Sequence, residues 1–228
     1  MKQLSLDSAR KPTGHGGWRP GAGRPKKKGS VSHRTRTAFP DRYPQHVTMR
    51  LGADSPSIAR EWLMKRVIHP CIAASEKPFF RVVEFNVLSN HVHLICEADD
   101  AMSLARGVQG LAIRFARRLN TALKRKGKLF GPRYHAVVLR SPAQVRNTLR
   151  YVLLNRKHHA AASKRFFAGW VDPYSSGVWF RGWKAPIRMN VATNALVGVE
   201  APTRAPKTWL LRVGWHRAGP LSYDDRPT

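Results

Sequence analysis

Acidic residues are scarce in this 228-residue chain: 13 Asp and Glu stand against 41 Lys and Arg, a formal net charge of +28. Between Ala101 and Val171 there are none, and the first fifty residues hold only Asp7 and Asp41. A field of that sign and size calls for a polyanionic partner, of which nucleic acid is the obvious one. A membrane surface is the weaker candidate, because no helical stretch carries an apolar face that a fold would leave bare. Cysteine is almost missing as well. Cys71 and Cys96 alone make neither a disulfide framework nor a zinc-finger spacing, and they suit a reducing compartment. No apolar run is long enough to span a bilayer, and Met1–Asp7 has no secretory core, so a soluble, cytoplasmic protein is expected.

The length accommodates one well-buried domain with extensions. Residues 1–45 read as a basic arm, since Gly, Pro and Lys dominate residues 16–28 and little there could be buried. Gly23-Arg24-Pro25, followed by Lys26, Lys27 and Lys28, is reminiscent of an AT-hook. Plain electrostatic tethering is the alternative reading of these residues. Residues 46–160 read as the folded domain. Residues 161–228 read as an extension in which Trp170, Tyr174, Trp179, Phe180, Trp183, Trp209 and Trp215 are spread without periodicity. Those rings would staple the tail onto the domain or stack on unpaired bases.

Within the domain, alternation predicts a first strand, His46–Leu51, with Val47, Met49 and Leu51 inward. A helix is expected over Ser57–Ala74, broken or kinked at Pro70. Val82–Leu88 and His91–Glu97 form a hairpin turning at Ser89-Asn90, with Val87 facing Val92, Phe85 facing Leu94 and Val83 facing Cys96. One face of this hairpin is aliphatic. The other brings His91, His93 and Ile95 together, with Asn86 opposite His93. Two imidazoles at i, i+2 aim at one region, as a metal site requires, although half-exposed strand histidines are the commoner case.

Leu104, Val108, Leu111, Phe115 and Leu119 mark a helix over Met102–Leu123. Arg114, Arg117 and Arg118 load its outer surface, and Lys124, Arg125, Lys126 and Arg133 follow in the next loop, as candidate phosphate contacts. Two short strands, Leu129–Phe130 and Tyr134–Leu139, are expected next. Ser141-Pro142 then opens a helix reaching about His158, with Gln144 placed to close a capping box. Tyr151 and Asn155 lie one turn apart on it, on a polar stripe with Gln144 and Thr148.

Ser89-Asn-His-Val-His-Leu-Ile95, Arg117-Arg-Leu-Asn120, Gly127-Lys-Leu-Phe130, Arg133-Tyr-His135 and Val145–Asn155 together resemble the single-tyrosine HUH transposases, in particular their REP-associated branch. The resemblance covers about residues 45–160. It implies an α+β, ferredoxin-like palm with a central antiparallel sheet. It also implies a divalent ion, Mg²⁺ or Mn²⁺, held by His91, His93 and Asn155, with Tyr151 as nucleophile toward a DNA phosphate. The partner would be single-stranded, hairpin-containing DNA, bound by a monomer or homodimer. His158 is an alternative to Asn155, and Tyr134, beside His135, competes with Tyr151. A non-catalytic DNA-binding protein on the same fold is the opposing reading, but it would be expected to have lost part of the His, His, Tyr and Asn set.

Overall fold

The computed structural model describes residues 38–131, 133–162, 171–187, 191–196 and 198–225, with residues 157–162 and 191–192 described in backbone only. The arm candidates Arg24, Lys26, Lys27 and Lys28, together with Trp170 and the His158 side chain, lie outside this set.

Alternating residues build a four-stranded antiparallel sheet: β1 (Gln45–Arg50), β2 (Phe80–Val87), β3 (His91–Ala98) and β4 (His135–Val138), in the order β2-β3-β1-β4. With helices following β1 and β3, this is the α+β palm that the resemblance implied. The aliphatic face carries Val47, Met49, Phe85, Val92 and Leu94. On it lie α1 (Glu61–Leu63) with its continuation α2 (His69–Ala73), and α3 (Ala101–Ala122), whose stripe Leu104, Val108, Leu111, Phe115 and Leu119 is buried throughout. Asp100 caps α3 by accepting from the Ser103 N–H at 2.6 Å. Gly107 permits the closest helix–sheet approach, because a Cβ there would lie 2.1 Å from Phe80 Cγ.

The structure departs from the sequence-based expectations in several places. The first helix starts at Glu61, not Ser57, because the Ile58 N–H bonds the Ser89 carbonyl (3.2 Å) and holds that stretch extended. Around Pro70 the chain is not broken. Met64–Ile68 forms a π turn, with the His69 N–H reaching Met64 O, and this wider turn admits a residue without an N–H. In the hairpin, Val87↔Val92, Phe85↔Leu94 and Asn86↔His93 pair as expected. A bulge between Val82 and Glu84 pairs Val82, not Val83, with Cys96. It thereby turns Val83 to the other face, where it packs with Ile95. Leu129–Phe130 contributes only a bridge between Phe130 and Leu51.

α4 (Pro142–Ala162) crosses the opposite face, burying Val145, Leu149, Val152 and Leu153 against Val83 and Ile95. Ser141 Oγ accepts from the Gln144 N–H, and Gln144 Oε1 accepts from the Arg140 N–H, one residue earlier than an ordinary capping box. The C-terminal residues pack tightly. Leu210 and Leu211 of α5 (Trp209–Arg212), Trp215 and Leu221 complete the core beneath α4, and Arg146 on α4 donates to Gly219 and Pro220 carbonyls. Two parts of this tail line the outer edge of β2. Val87 N–H bonds Tyr174 O (2.9 Å) and Phe85 N–H bonds Ser176 Oγ (2.9 Å), while Arg204 N–H bonds Val82 O (3.0 Å). Glu97, 5% exposed, accepts from Lys207 and Thr208 N–H groups at 2.8 Å. Among the described residues no helix is long and apolar enough to cross a membrane.

Candidate active site

Strand pairing sets the floor of the site. Asn86, His93, Thr48 and His135 stand side by side across β2, β3, β1 and β4, and side chains directly opposite share a face. His91 and His46 flank this row on the same face. His93 is 3% exposed, and His91 is more open. The ring centroids of His91 and His93 are 4.7 Å apart at 90°.

α4 brings Tyr151 onto this floor. Its ring meets His93 edge-on at 5.1 Å and His46 at 5.8 Å. One turn further along the same helix, Asn155 is fully buried. The two histidines, the tyrosine and the asparagine are therefore on one side of the sheet. Tyr134 is not: it packs with the aliphatic cluster and lines a cleft against α3, with the sheet between it and the histidine floor.

The basic candidates divide in the same way. Arg117, Arg118, Lys124, Lys126 and Arg133 are exposed, and Arg114 and Arg125 are half-buried. Those on α3 face away from a helix that itself covers the aliphatic side, so the sheet separates them from Tyr151. Arg125 folds back within its own loop, donating to Lys128 O at 3.2 Å.

His46 and Thr48 are members of the site that the apolar reading of β1 passed over. His46 Nε2 and Thr48 Oγ1 both lie 3.1 Å from His93 Nδ1. Burial lowers His46 to about 4, with nearby His135 acting in the same direction, so His46 is neutral at physiological pH. With its proton on Nδ1, His93 can donate to these neighbours and orient Nε2 as the ligating atom. His91 Nδ1 is similarly engaged, at 2.6 Å from Asn90 Oδ1. The signal was present in β1: His46 and Thr48 alternate with Val47 and Met49 at the period that marked His91 and His93.

Two buried amides around the floor are incompletely bonded. Both polar atoms of Asn155 and the Oδ1 of Asn86 lack hydrogen-bond partners among the described residues. Asn86 Nδ2 donates to Asp172 Oδ2 (3.0 Å), and the Arg156 guanidinium lies 3.7 Å from the other oxygen, Asp172 Oδ1. Burial pushes Asp172 up to about 6 although Arg156 opposes it. Buried amide oxygens without donors are what a bound cation would satisfy. Two imidazoles and an amide oxygen form a donor set suited to a divalent ion of intermediate hardness. The residues fit a metal in that respect. Among the described residues no group of three His, Cys, Asp or Glu side chains is arranged to hold a metal ion by itself.

Residues 44–154 match the family described as "Transposase IS200 like". Over that segment the chain is similar to the IS200-like transposases. The matched segment contains His46, His91, His93 and Tyr151 and stops one residue short of Asn155. Among solved structures, the chain is similar to a REP-associated tyrosine transposase bound to a REP hairpin, at 14% identity and a TM-score of 0.48, over 78% of this chain and 93% of that one. It is also similar to a transposase candidate from Deinococcus radiodurans R1, at 16% identity and a TM-score of 0.36, over 63% and 98%. No curated protein matches the sequence.

Proposed function

We propose that this protein is a transposase that nicks and rejoins single-stranded DNA next to hairpins, through a covalent link to Tyr151. The observation that carries the reading is the packing of Tyr151 against His93 and His46, with the unpartnered Asn155 amide one turn away. In the step, Tyr151 Oη attacks phosphorus in line with the scissile P–O3′ bond. The phenolic proton passes to solvent, and the departing 3′ oxygen takes up a proton. A 5′-phosphotyrosine and a free 3′-OH result. Attack by a second 3′-OH reverses the step and releases the phenol, so strand transfer needs no external energy source.

His91, His93 and Asn155 would hold a divalent ion, Mg²⁺ or Mn²⁺. When bound, it neutralises phosphate charge and orients the phosphate. The helix does the remaining positioning. One rigid element carries both the nucleophile and the amide, and this fixes their separation before substrate arrives. Phe39 is in the core and Gln45 opens β1, so the residues before Phe39 act as the basic tether, and Arg117, Arg118, Lys124, Lys126 and Arg133 hold flanking DNA by charge. Imperfect palindromes of the REP kind are the substrates that this reading favours.

The test is a denaturing gel with labelled single-stranded hairpin DNA and Mn²⁺. Tyr151→Phe is expected to abolish the covalent protein–DNA adduct while leaving binding intact, and Tyr134→Phe is expected to keep it. An adduct with Tyr151→Phe overturns the assignment. No adduct with the wild-type chain on any hairpin substrate would favour a non-catalytic binding protein.

A further inference from the structure

Beyond α4, on the β2 side of the helix, the bulged strand and the tail enclose a 440 Å³ cleft that the reaction above does not use. At its floor is Glu84, 8% exposed, whose carboxylate accepts from Ser176 Oγ. In a chain of net charge +28, Glu84 has no ion-pair partner among the described residues. Burial pushes it up to about 8, so the carboxyl is mostly protonated at neutral pH and offers both a donor and an acceptor. The walls are aromatic. Trp179 and Phe180 line the cleft, and Trp215 carries His216 stacked at 3.8 Å and 25°. Gly182 lets these walls close, since a Cβ there would lie 2.5 Å from Phe180 and 2.6 Å from Trp215. Exposed Arg181 and Arg212 also line it.

We propose that this cleft receives one unpaired nucleotide of the bound DNA, its base edge on Glu84 and its phosphate at Arg181 and Arg212. The volume suits a single base. Flat rings supply stacking, and a carboxylic acid matches the paired donor and acceptor on a base edge. A cationic side chain of another protein would meet the surrounding arginines, which disfavours that occupant. The assignment rests on the single-stranded-DNA reading above.

The test uses the full chain and a fluorescent hairpin oligonucleotide whose unpaired positions are replaced one at a time by abasic sites. Wild type is expected to lose about tenfold in affinity at one position. Glu84→Ala and Arg212→Ala should each bind the intact oligonucleotide more weakly and flatten the scan at that position. Glu84→Gln, which keeps a donor and an acceptor, should retain the wild-type profile. A flat wild-type scan with intact binding overturns the pocket alone, even if free deoxynucleotides bind there. An unchanged profile in Arg212→Ala, which lies on the exposed rim and leaves the core untouched, together with an unchanged profile in any folded Glu84→Ala protein, also overturns it. Failure of wild type to bind the hairpin sinks both readings.

Discussion

Asn155→Leu separates a binding role for the buried amide from a packing role. Asn155 is wholly buried, and neither of its polar atoms has a hydrogen-bond partner among the described residues. Holding unsatisfied amide groups away from water costs about 1–3 kcal/mol. Leucine keeps the branch at Cγ and removes the polar atoms, while its extra bulk costs about 1 kcal/mol in a packed site. In EDTA the variant is therefore expected to be at least as stable as wild type, by up to about 2 kcal/mol in urea unfolding. Added Mn²⁺ should raise the midpoint of wild type and not that of the variant, since only a folded chain with its ligand set complete gains from the ion. A variant that is less stable than wild type in EDTA would show that the amide is already satisfied. A Mn²⁺ response equal to that of wild type would remove Asn155 from the ligand set.

Glu84→Gln tests a pH dependence. The folded-state value of about 8 lies above the ordinary 4.5, so between those limits the unfolded chain gives up a proton that the folded chain keeps, and wild-type stability falls as pH rises. The variant lacks this loss, and its melting temperature should pull ahead of wild type from about pH 4.5 to about pH 8; a constant gap contradicts the burial argument. Gly107→Ala forces a methyl group into the Phe80 ring and should cost about 1–3 kcal/mol in urea unfolding, despite the better helix propensity of alanine. Affinity for single-stranded DNA should fall by about a hundredfold or more between 50 and 200 mM salt, and a flat response would refute an electrostatic footprint.

The elements of the palm were legible in the sequence because their signals are local and periodic, while their arrangement came from the resemblance. Alternation revealed β1, β2 and β3, the stripe from Leu104 to Leu119 revealed α3, and Ser141-Pro142 marked the start of α4. The polar faces were harder to read. His46 and Thr48 became part of the site only through register with His93, which pairs residues 45 positions apart or more. No local residue announces the bulge at Val82/Glu84, and without it Val83 would fall on the wrong face. The tail has no periodicity to read. Trp215 and Leu221 earn their burial from α4 and Ile95, far away in the chain, and Glu97 anchors backbone more than a hundred residues later.

The covering of the β2 edge by the tail has a consequence for the order of events at the ribosome. Val82 is made early, while Arg204, which bonds it, follows roughly 6–24 s later at 5–20 residues per second. During that interval the outer hydrogen-bonding groups of β2 and the hydrophobic underside of α4 await a cover that has not been synthesised. An uncovered strand edge is a template for pairing with other chains. The nascent protein thus passes through a stage at which it is most exposed to wrong partners, and chaperone demand should peak before the covering residues from Arg204 to Leu221 emerge.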